Sequence, residues 1–194
     1  MNDRFQITRL PRAFAPDLGQ EAIAALPGLP TDHADLIRGA AGSSPFLGGL
    51  IQSQADWLGQ ALDAPDRAVR ETFDDLREMP PDEIAAGLRR AKQRIALLVA
   101  LADLAGAWPL ERVTGTLSDF AGLACDLALK AEIAQAIRRG KLPGQTDEDV
   151  ATGAGLVVLA MGKMGAQELN YSSDIDLICL FDETRHDPDA FHEV

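Results

Sequence analysis

Apolar positions spaced three and four residues apart predict that the first part of the chain is helical. The longest apolar stripe covers residues 84–102, about six turns of helix. Its members are Ile84, Leu88, Ala91, Ile95, Val99 and Ala102. A second long helix is predicted over Thr116–Arg139, because cations occupy its last turn and Gly140 follows. Prolines restrict residues 1–30 to a short helix around Leu18–Ala25.

Shorter helices are predicted between these segments. Ala34–Ala40 has room for a turn or two of helix. Ser44 followed by Pro45 is a helix start, since serine caps free amide groups and proline suits the first helical position. We expect this helix to run unbroken to near Asp63, and another to span Val69–Arg77. The large apolar side chains of these helices are predicted to form a hydrophobic core.

The pattern changes from helical to strand-like after residues 141–154, a stretch with proline, glycine and clustered acids. Leu156–Ala160 is a continuous apolar run, typical of a strand that is buried on both faces. A turn with two glycines follows it. A second apolar strand then opens with Asp174 and Asp176.

These patterns predict an α+β fold class with two parts. A helical N-terminal region covers residues 1–150, and the first strands of a sheet lie within residues 151–194. The hydrophobic content of 46% beside 25% charged residues is that of a globular chain rather than a disordered one.

The charge and the N-terminal sequence exclude two classes of partner. A formal net charge of −12 argues against a DNA or RNA surface, because nucleic-acid affinity comes mainly from Lys and Arg on phosphates. The N-terminus has no apolar signal region, and no stretch approaches the ~18 apolar residues of a membrane span. We therefore expect a soluble, cytoplasmic protein without a membrane partner.

Cysteine and histidine residues are predicted to be structural rather than reactive. Cys125 and Cys179 each lie in an apolar pattern, so we expect buried, reduced thiols, which suit a reducing cytosol. His33, His186 and His192 show no metal-ligand spacing and are predicted to lie on the surface.

Asp174 and Asp176 carry the strongest candidate chemistry. In a strand, residues i and i+2 point to one face with a rise of about 3.3 Å per residue, so the two carboxylates would reach shared cations. Ile175 and Leu177 would then face an apolar core. Carboxylates this close repel each other, and a hard divalent cation relieves the repulsion. The pair predicts a magnesium site for nucleotidyl chemistry, with both aspartates as metal ligands and catalytic residues.

Residues beside the aspartates are predicted to bind phosphate. Gly162 would let the backbone approach a ligand, and Lys163 with nearby free amides would hold phosphate oxygens. Ser172 and Ser173, just before Asp174, are further candidate phosphate contacts. An Asp-x-Asp sequence alone is often a solvated loop. A glycine turn with a lysine, followed by an apolar strand, favours the metal site here.

A glycine-ended strand, about ten further residues and then Asp-apolar-Asp-apolar resembles the polymerase β-type nucleotidyltransferase superfamily. Within it, Gly162–Gly165 (GKMG) with Glu168–Leu177 (ELNYSSDIDL) is similar to the glutamine synthetase adenylyltransferase family, also called the adenylyl-removing enzyme. Ser44–Leu47 and Leu88–Thr114 are similar to the N-terminal half of that family. The resemblance covers roughly Ser43 to Asp182.

The resemblance implies a bifunctional enzyme with two nucleotidyltransferase-like halves. The half nearer the N-terminus, to which this motif would belong, removes AMP from an adenylylated tyrosine of glutamine synthetase. It uses inorganic phosphate and releases ADP, whereas the other half attaches AMP from ATP. Mg²⁺ is the implied cofactor, and the PII signalling protein is an implied partner.

The resemblance also implies a third metal-binding acid on a later strand of a nucleotidyltransferase-type mixed sheet. Asp187, Asp189 and Glu193 follow the second strand too soon to supply it. We therefore expect an N-terminal fragment of a longer protein, inactive by itself. Two alternatives stay open: another magnesium-dependent nucleotidyltransferase, such as one modifying a small molecule, and a helical interaction module with an incomplete site.

Overall fold

A computed structural model of the chain describes residues 5–185. Within that range seven α-helices come first: α1 Pro16–Ala24, α2 Thr31–Ser43, α3 Pro45–Ser53, α4 Ala55–Asp63, α5 Pro65–Arg77, α6 Ile84–Leu104 and α7 Leu110–Arg138. The C-terminal part then contains a 3₁₀ helix Asp147–Gly155, strand β1 Leu156–Ala160, a one-turn helix α8 Gly162–Gly165, strand β2 Leu177–Phe181 and a 3₁₀ turn Glu183–Arg185.

The long helix α6 forms the centre of the hydrophobic core. Its apolar stripe is completely buried from Ile95 to Ala102 apart from two small alanines. Helices α2, α3, α4, α5 and α7 all pack against it. The helical region predicted from apolar spacing is therefore confirmed. Helix α6 ends at Leu104, and Gly106 just after it has a φ of +63°, which suits glycine.

One predicted helix is broken in the structure. The segment expected to run unbroken from Pro45 to near Asp63 divides into α3 and α4 at Gln54, which has φ −117° and ψ 20°. The Gln54 side chain accepts a hydrogen bond from Arg94 Nε at 3.3 Å, and the Arg94 guanidinium lies 5.2 Å from the centre of the Trp57 ring. These contacts accompany the break, and they involve a residue of α6 that lies 40 positions later in the sequence. No glycine or proline at position 54 marks the break.

Several helices begin earlier than the apolar spacing indicates. Helix α7 starts at Leu110 rather than Thr116, directly after Pro109, whose extended backbone makes it the N-cap. The Arg112 guanidinium stacks 4.0 Å above the Trp108 ring and pairs with Asp66 of α5, so this polar first turn is held by packing. Proline likewise opens α1 and α5.

Strands β1 and β2 form an antiparallel pair. The register runs from Leu156 opposite Phe181 to Ala160 opposite Leu177. With the helices before it, this sheet confirms the α+β class. The predicted burial of β1 on both faces is wrong for the described residues, because Val157 and Leu159 are 53% and 44% exposed. Among those residues the ribbon contacts the 3₁₀ helix and α8, and Leu156 at its start packs on a small cluster that includes Ile133 of α7.

Two predictions about single residues are also wrong. His33 is buried rather than on the surface, with 7% of its area exposed and its ring edge-on to Phe5 at 5.9 Å. Cys179 is exposed on β2 and Cys125 is half-buried on α7, although both are free thiols as expected. Cys179 is exposed because it lies on a strand of the ribbon that is open within the described residues. His186 and His192 lie outside the described residues.

None of the helices in residues 5–185 combines the length and the apolar character that a membrane crossing requires.

Candidate functional site

A tight glycine turn closes the end of β1. Gly162 has a φ of +54°, in the left-handed region that favours glycine. Gly165 lies so close to the end of β1 that a side chain there would collide with the carbonyl oxygen of Ala160. The one-turn helix α8 is thereby folded back on the strand, and its Met164 side chain is buried in the main core.

This turn is joined directly to Asp176. The amide of Met161 donates a hydrogen bond to the Asp176 carbonyl oxygen at 2.9 Å. A Cβ atom built on Gly162 would lie only 2.9 Å from Oδ2 of Asp176, a distance that Cβ atoms essentially never show. The absence of a side chain at Gly162 therefore makes room for the carboxylate, and two sequence-predicted site residues are brought together.

Both aspartates lie just before β2 instead of opening it. The antiparallel ladder ends at the pair Ala160 and Leu177, so no strand partner extends to Asp174. Asp174 and Asp176 are exposed. Ile175 and Leu177 do not face a core as predicted, since they are 42% and 37% exposed.

The two serines are organised by a residue that the sequence reasoning missed. Asn170 Oδ1 accepts hydrogen bonds from the Ser172 amide at 3.1 Å and from the Ser173 hydroxyl at 2.9 Å. An asparagine that bonds to the backbone two residues later is typical of a turn, so an Asx-turn signal was present. The Lys163 side chain is exposed on the glycine turn.

The loop between the turn and the aspartates is anchored on α7. The hydroxyl of Ser118 accepts a hydrogen bond from the Leu169 amide at 3.2 Å and donates one to the Thr114 carbonyl at 2.9 Å. Ser118 is only 2% exposed, and Leu169 is buried with Met164 in the main core. The helical region thus positions the loop that carries the candidate site.

A second anchor attaches the same loop to α6. The Tyr171 hydroxyl lies 3.3 Å from Asp103 Oδ2 and 3.4 Å from the Val99 carbonyl oxygen. Burial of the hydroxyl end, the negative charge of Asp103 and the hydrogen bond to it together raise the pKa of Tyr171. The tyrosine is therefore neutral and able to donate this hydrogen bond at physiological pH.

A large cavity beside the glycine turn does not contain the aspartates. It has a volume of about 630 Å³ and lies between α5, α7 and the glycine turn. Its polar lining residues are Arg77, Ser118, Asp119, Asp126 and Gln167. Asp174 and Asp176 lie outside it, on the exposed approach to β2.

The donor set fits magnesium in its chemistry. Mg²⁺ takes oxygen ligands and is usually bound by one or two carboxylates together with substrate phosphates. Asp174 and Asp176 supply two exposed carboxylates, and Gly162 leaves space beside one of them. No cluster of three or more His, Cys, Asp or Glu side chains in metal-binding positions occurs among residues 5–185.

Comparison with known proteins identifies the family. The profile described as Glutamate-ammonia ligase adenylyltransferase matches residues 34–194, which include most of α2, all of α3–α7, the glycine turn and both aspartates. The chain belongs to this family. The resemblance seen in the Gly162–Leu177 segment is thereby confirmed, and the relatives are adenylyltransferases, a class of nucleotidyltransferase.

Curated relatives carry the name "Bifunctional glutamine synthetase adenylyltransferase/adenylyl-removing enzyme". The Rhodopseudomonas palustris protein is 40% identical over 168 residues, covering 84% of this chain and 17% of the relative. The Bradyrhizobium diazoefficiens protein is 43% identical over 162 residues (80% and 16%). The Xanthobacter autotrophicus protein is 41% identical over 171 residues (84% and 17%).

The chain thus spans only 16–17% of the length of these relatives. No solved structure matches it.

Proposed function

We propose that this chain contributes the adenylyl-removing site of a bifunctional regulator of glutamine synthetase. The reaction removes AMP from an adenylylated tyrosine by phosphorolysis and gives ADP. The observation that carries the proposal is the close seating of the Asp176 carboxylate beside the side-chain-free Gly162 turn. Membership of the adenylyltransferase family and the names of the relatives support it.

The position of the motif favours the adenylyl-removing activity over the adenylylating one. The resemblance implies that the half nearer the N-terminus removes AMP, and the helices that precede Gly162–Asp176 contain Ser44–Leu47 and Leu88–Thr114, which are similar to that half. The AMP-attaching activity, which uses ATP, would belong to another part of the complete protein.

The proposed reaction exchanges one phosphorus–oxygen bond for another. An oxygen of inorganic phosphate bonds to the α-phosphorus of the tyrosyl-AMP ester, and the bond from that phosphorus to the tyrosyl oxygen breaks. The tyrosine regains its hydroxyl with a proton, and ADP leaves. Because phosphate and phosphodiester are both anionic, the site must orient them and offset their mutual repulsion.

The residues of the loop divide this work between them. Asp174 and Asp176 would hold Mg²⁺, which when bound supplies positive charge to the non-bridging phosphate oxygens. Lys163 and the backbone at Gly162 would bind phosphate oxygens. Ser172 would contribute its hydroxyl. The Ser173 hydroxyl donates to Asn170 in the structure, so its first task is to shape the turn.

Partners, compartment and domain division form part of the same proposal. We assign residues 1–150 to a helical region and residues 151–194 to the start of the nucleotidyltransferase domain. Adenylylated glutamine synthetase, phosphate and ADP follow from the reaction, and a PII partner follows from the family resemblance. A cytoplasmic location suits the free thiols of Cys125 and Cys179.

Phosphate-dependent ADP release tests the proposal. The complete gene product is incubated with glutamine synthetase carrying labelled AMP, Mg²⁺ and phosphate. We expect labelled ADP, and a decrease of about a hundredfold or more in Asp174→Asn, because charge stabilisation is worth several kcal/mol. Asp17→Asn, an exposed acid in the first turn of α1, is the control and should retain the rate. Absence of labelled ADP from the unmodified enzyme contradicts the proposal.

A further inference from the structure

An aromatic side chain of the loop that carries the aspartates is hydrogen-bonded to α6. Tyr171 is 51% exposed, so its ring contributes little to the hydrophobic core. Its hydroxyl nevertheless reaches Asp103 Oδ2 at 3.3 Å and the Val99 carbonyl at 3.4 Å. Tyr171 is thus attached mainly through its hydroxyl group, three residues before Asp174.

The acceptor of this hydrogen bond is itself held in place from the N-terminal segment. Arg9 Nη2 lies 3.3 Å from Oδ1 of Asp103 and also donates to the Asp103 carbonyl, while Arg9 Nε donates to the Leu104 carbonyl at 3.1 Å. The amides of Thr8 and Arg9 both donate to the Ala105 carbonyl, at 2.9 and 3.1 Å. The Arg9 contacts occupy one carboxylate oxygen of Asp103 and leave the other for Tyr171.

The ion pair between Arg9 and Asp103 is too exposed to serve mainly as a source of stability. The side chains of Arg9 and Asp103 are 64% and 41% exposed, and such pairs contribute little to folding. The pair serves instead to orient the Asp103 carboxylate. A carboxylate fixed on two sides presents a defined acceptor, and a phenol bound to it restricts the backbone that leads to Ser172.

We propose that Tyr171 is a positioning residue, which fixes the Ser172–Asp176 segment on α6 through Asp103 and Arg9. In its catalytic consequence the proposal rests on the adenylyl-removing function proposed above. Tyr171 does not donate to phosphate in this account, because its hydroxyl is already engaged with α6. Loss of the hydroxyl would loosen Asp174 and Asp176 relative to the Gly162 turn.

Amide hydrogen exchange in the complete gene product tests the positioning without any assay of activity. The reporter is the Met161 amide, which donates to the Asp176 carbonyl, together with the amides of Ser172 and Ser173. We expect these amides to exchange up to about tenfold faster in Tyr171→Phe and in Asp103→Ala, since each change removes the hydrogen bond between the two side chains. Amides within α2 should not change.

The matched control removes a similar exposed ion pair elsewhere. Asp74→Asn breaks the pair between Asp74 and Arg77 on α5, whose atoms are 2.7 Å apart. This variant should exchange at the wild-type rate at the reporter amides. Unchanged exchange in either Tyr171→Phe or Asp103→Ala overturns the proposal, and so does an equal acceleration in the control.

Kinetics of the complete gene product give a second measurement. Tyr171→Phe should lower kcat for ADP release by about tenfold or more while KM for phosphate stays within about twofold, because misplacement affects the transition state. The double variant with Asp103→Ala should be no slower than the slower of the two single variants. If the decreases in kcat of the two single variants add in the double variant, Tyr171 and Asp103 act independently, which contradicts the proposal. If the unmodified enzyme releases no ADP, the proposed function fails, while the exchange experiment still decides the positioning.

Discussion

Gly162 and Asp176 illustrate at the scale of single residues how the turn shapes the site. A Cβ atom at Gly162 would lie 2.9 Å from the Asp176 carboxylate, at a φ of +54° that also disfavours other residues. Any substitution at Gly162 would meet both the nearby carboxylate and the unfavourable φ, but only the approach to the Asp176 carboxylate concerns the site. A control with the same backbone requirement separates them.

We expect Gly162→Ala to displace the Asp176 carboxylate and lower the rate of ADP release by about tenfold or more. Gly140→Ala provides the control, because Gly140 has φ +67° and open space around it. Both variants should lose similar stability, measured by urea unfolding, whereas only Gly162→Ala should lose activity. Equal activities in the two variants would show that the close approach has no role in the site.

The sequence predicted site residues whose partners are close along the chain, and missed those whose partners are distant. Gly162, Lys163, Asp174 and Asp176 form a local pattern of turn and strand. Tyr171 bonds to Asp103, which lies 68 residues earlier, and local spacing carries no information about such a contact. The hydrogen bond between Leu169 and Ser118 also joins residues that are distant in the sequence, with a separation of 51 residues.

At the scale of elements, apolar periodicity predicted the long helices well because α6 and α7 bury a regular stripe against their neighbours. It missed the break at Gln54, where contacts with α6 accompany the break. It placed β1 correctly, but it opened the second strand at Asp174, whereas β2 begins at Leu177, and it did not predict the exposure of the strands. A continuous apolar run indicates a strand that can be covered on both faces, whereas β1 is partly open within residues 5–185.

The docking of the loop on α7 gives a prediction about stability. Ser118→Ala should lower the free energy of unfolding by about 1–3 kcal/mol, because the buried Leu169 amide loses its acceptor. Thr116→Ala on the same helix is the control, since Thr116 makes only the bond to the carbonyl four residues earlier that Ser118 also makes. Chemical denaturation compares the two, and a loss in Ser118→Ala no greater than in Thr116→Ala contradicts the anchoring role.

At the scale of the whole molecule, the helices and the candidate site share one hydrophobic core. Met164 and Leu169 of the site segment are buried in the same cluster as the α6 stripe. The helical region therefore does more than precede the nucleotidyltransferase motif, because it supports the loop from α6 and from α7. This arrangement is consistent with a family profile that extends from residue 34 through the motif without separating the two parts.

We propose that the aspartates of this chain serve adenylyl removal and not adenylyl attachment. A comparison of both half-reactions in the complete gene product with Asp176→Asn distinguishes the two. We expect phosphate-dependent ADP release from adenylylated glutamine synthetase to be lost, while ATP-dependent attachment of AMP to unmodified glutamine synthetase continues at the wild-type rate. Loss of attachment with removal intact would show that the aspartates serve attachment instead.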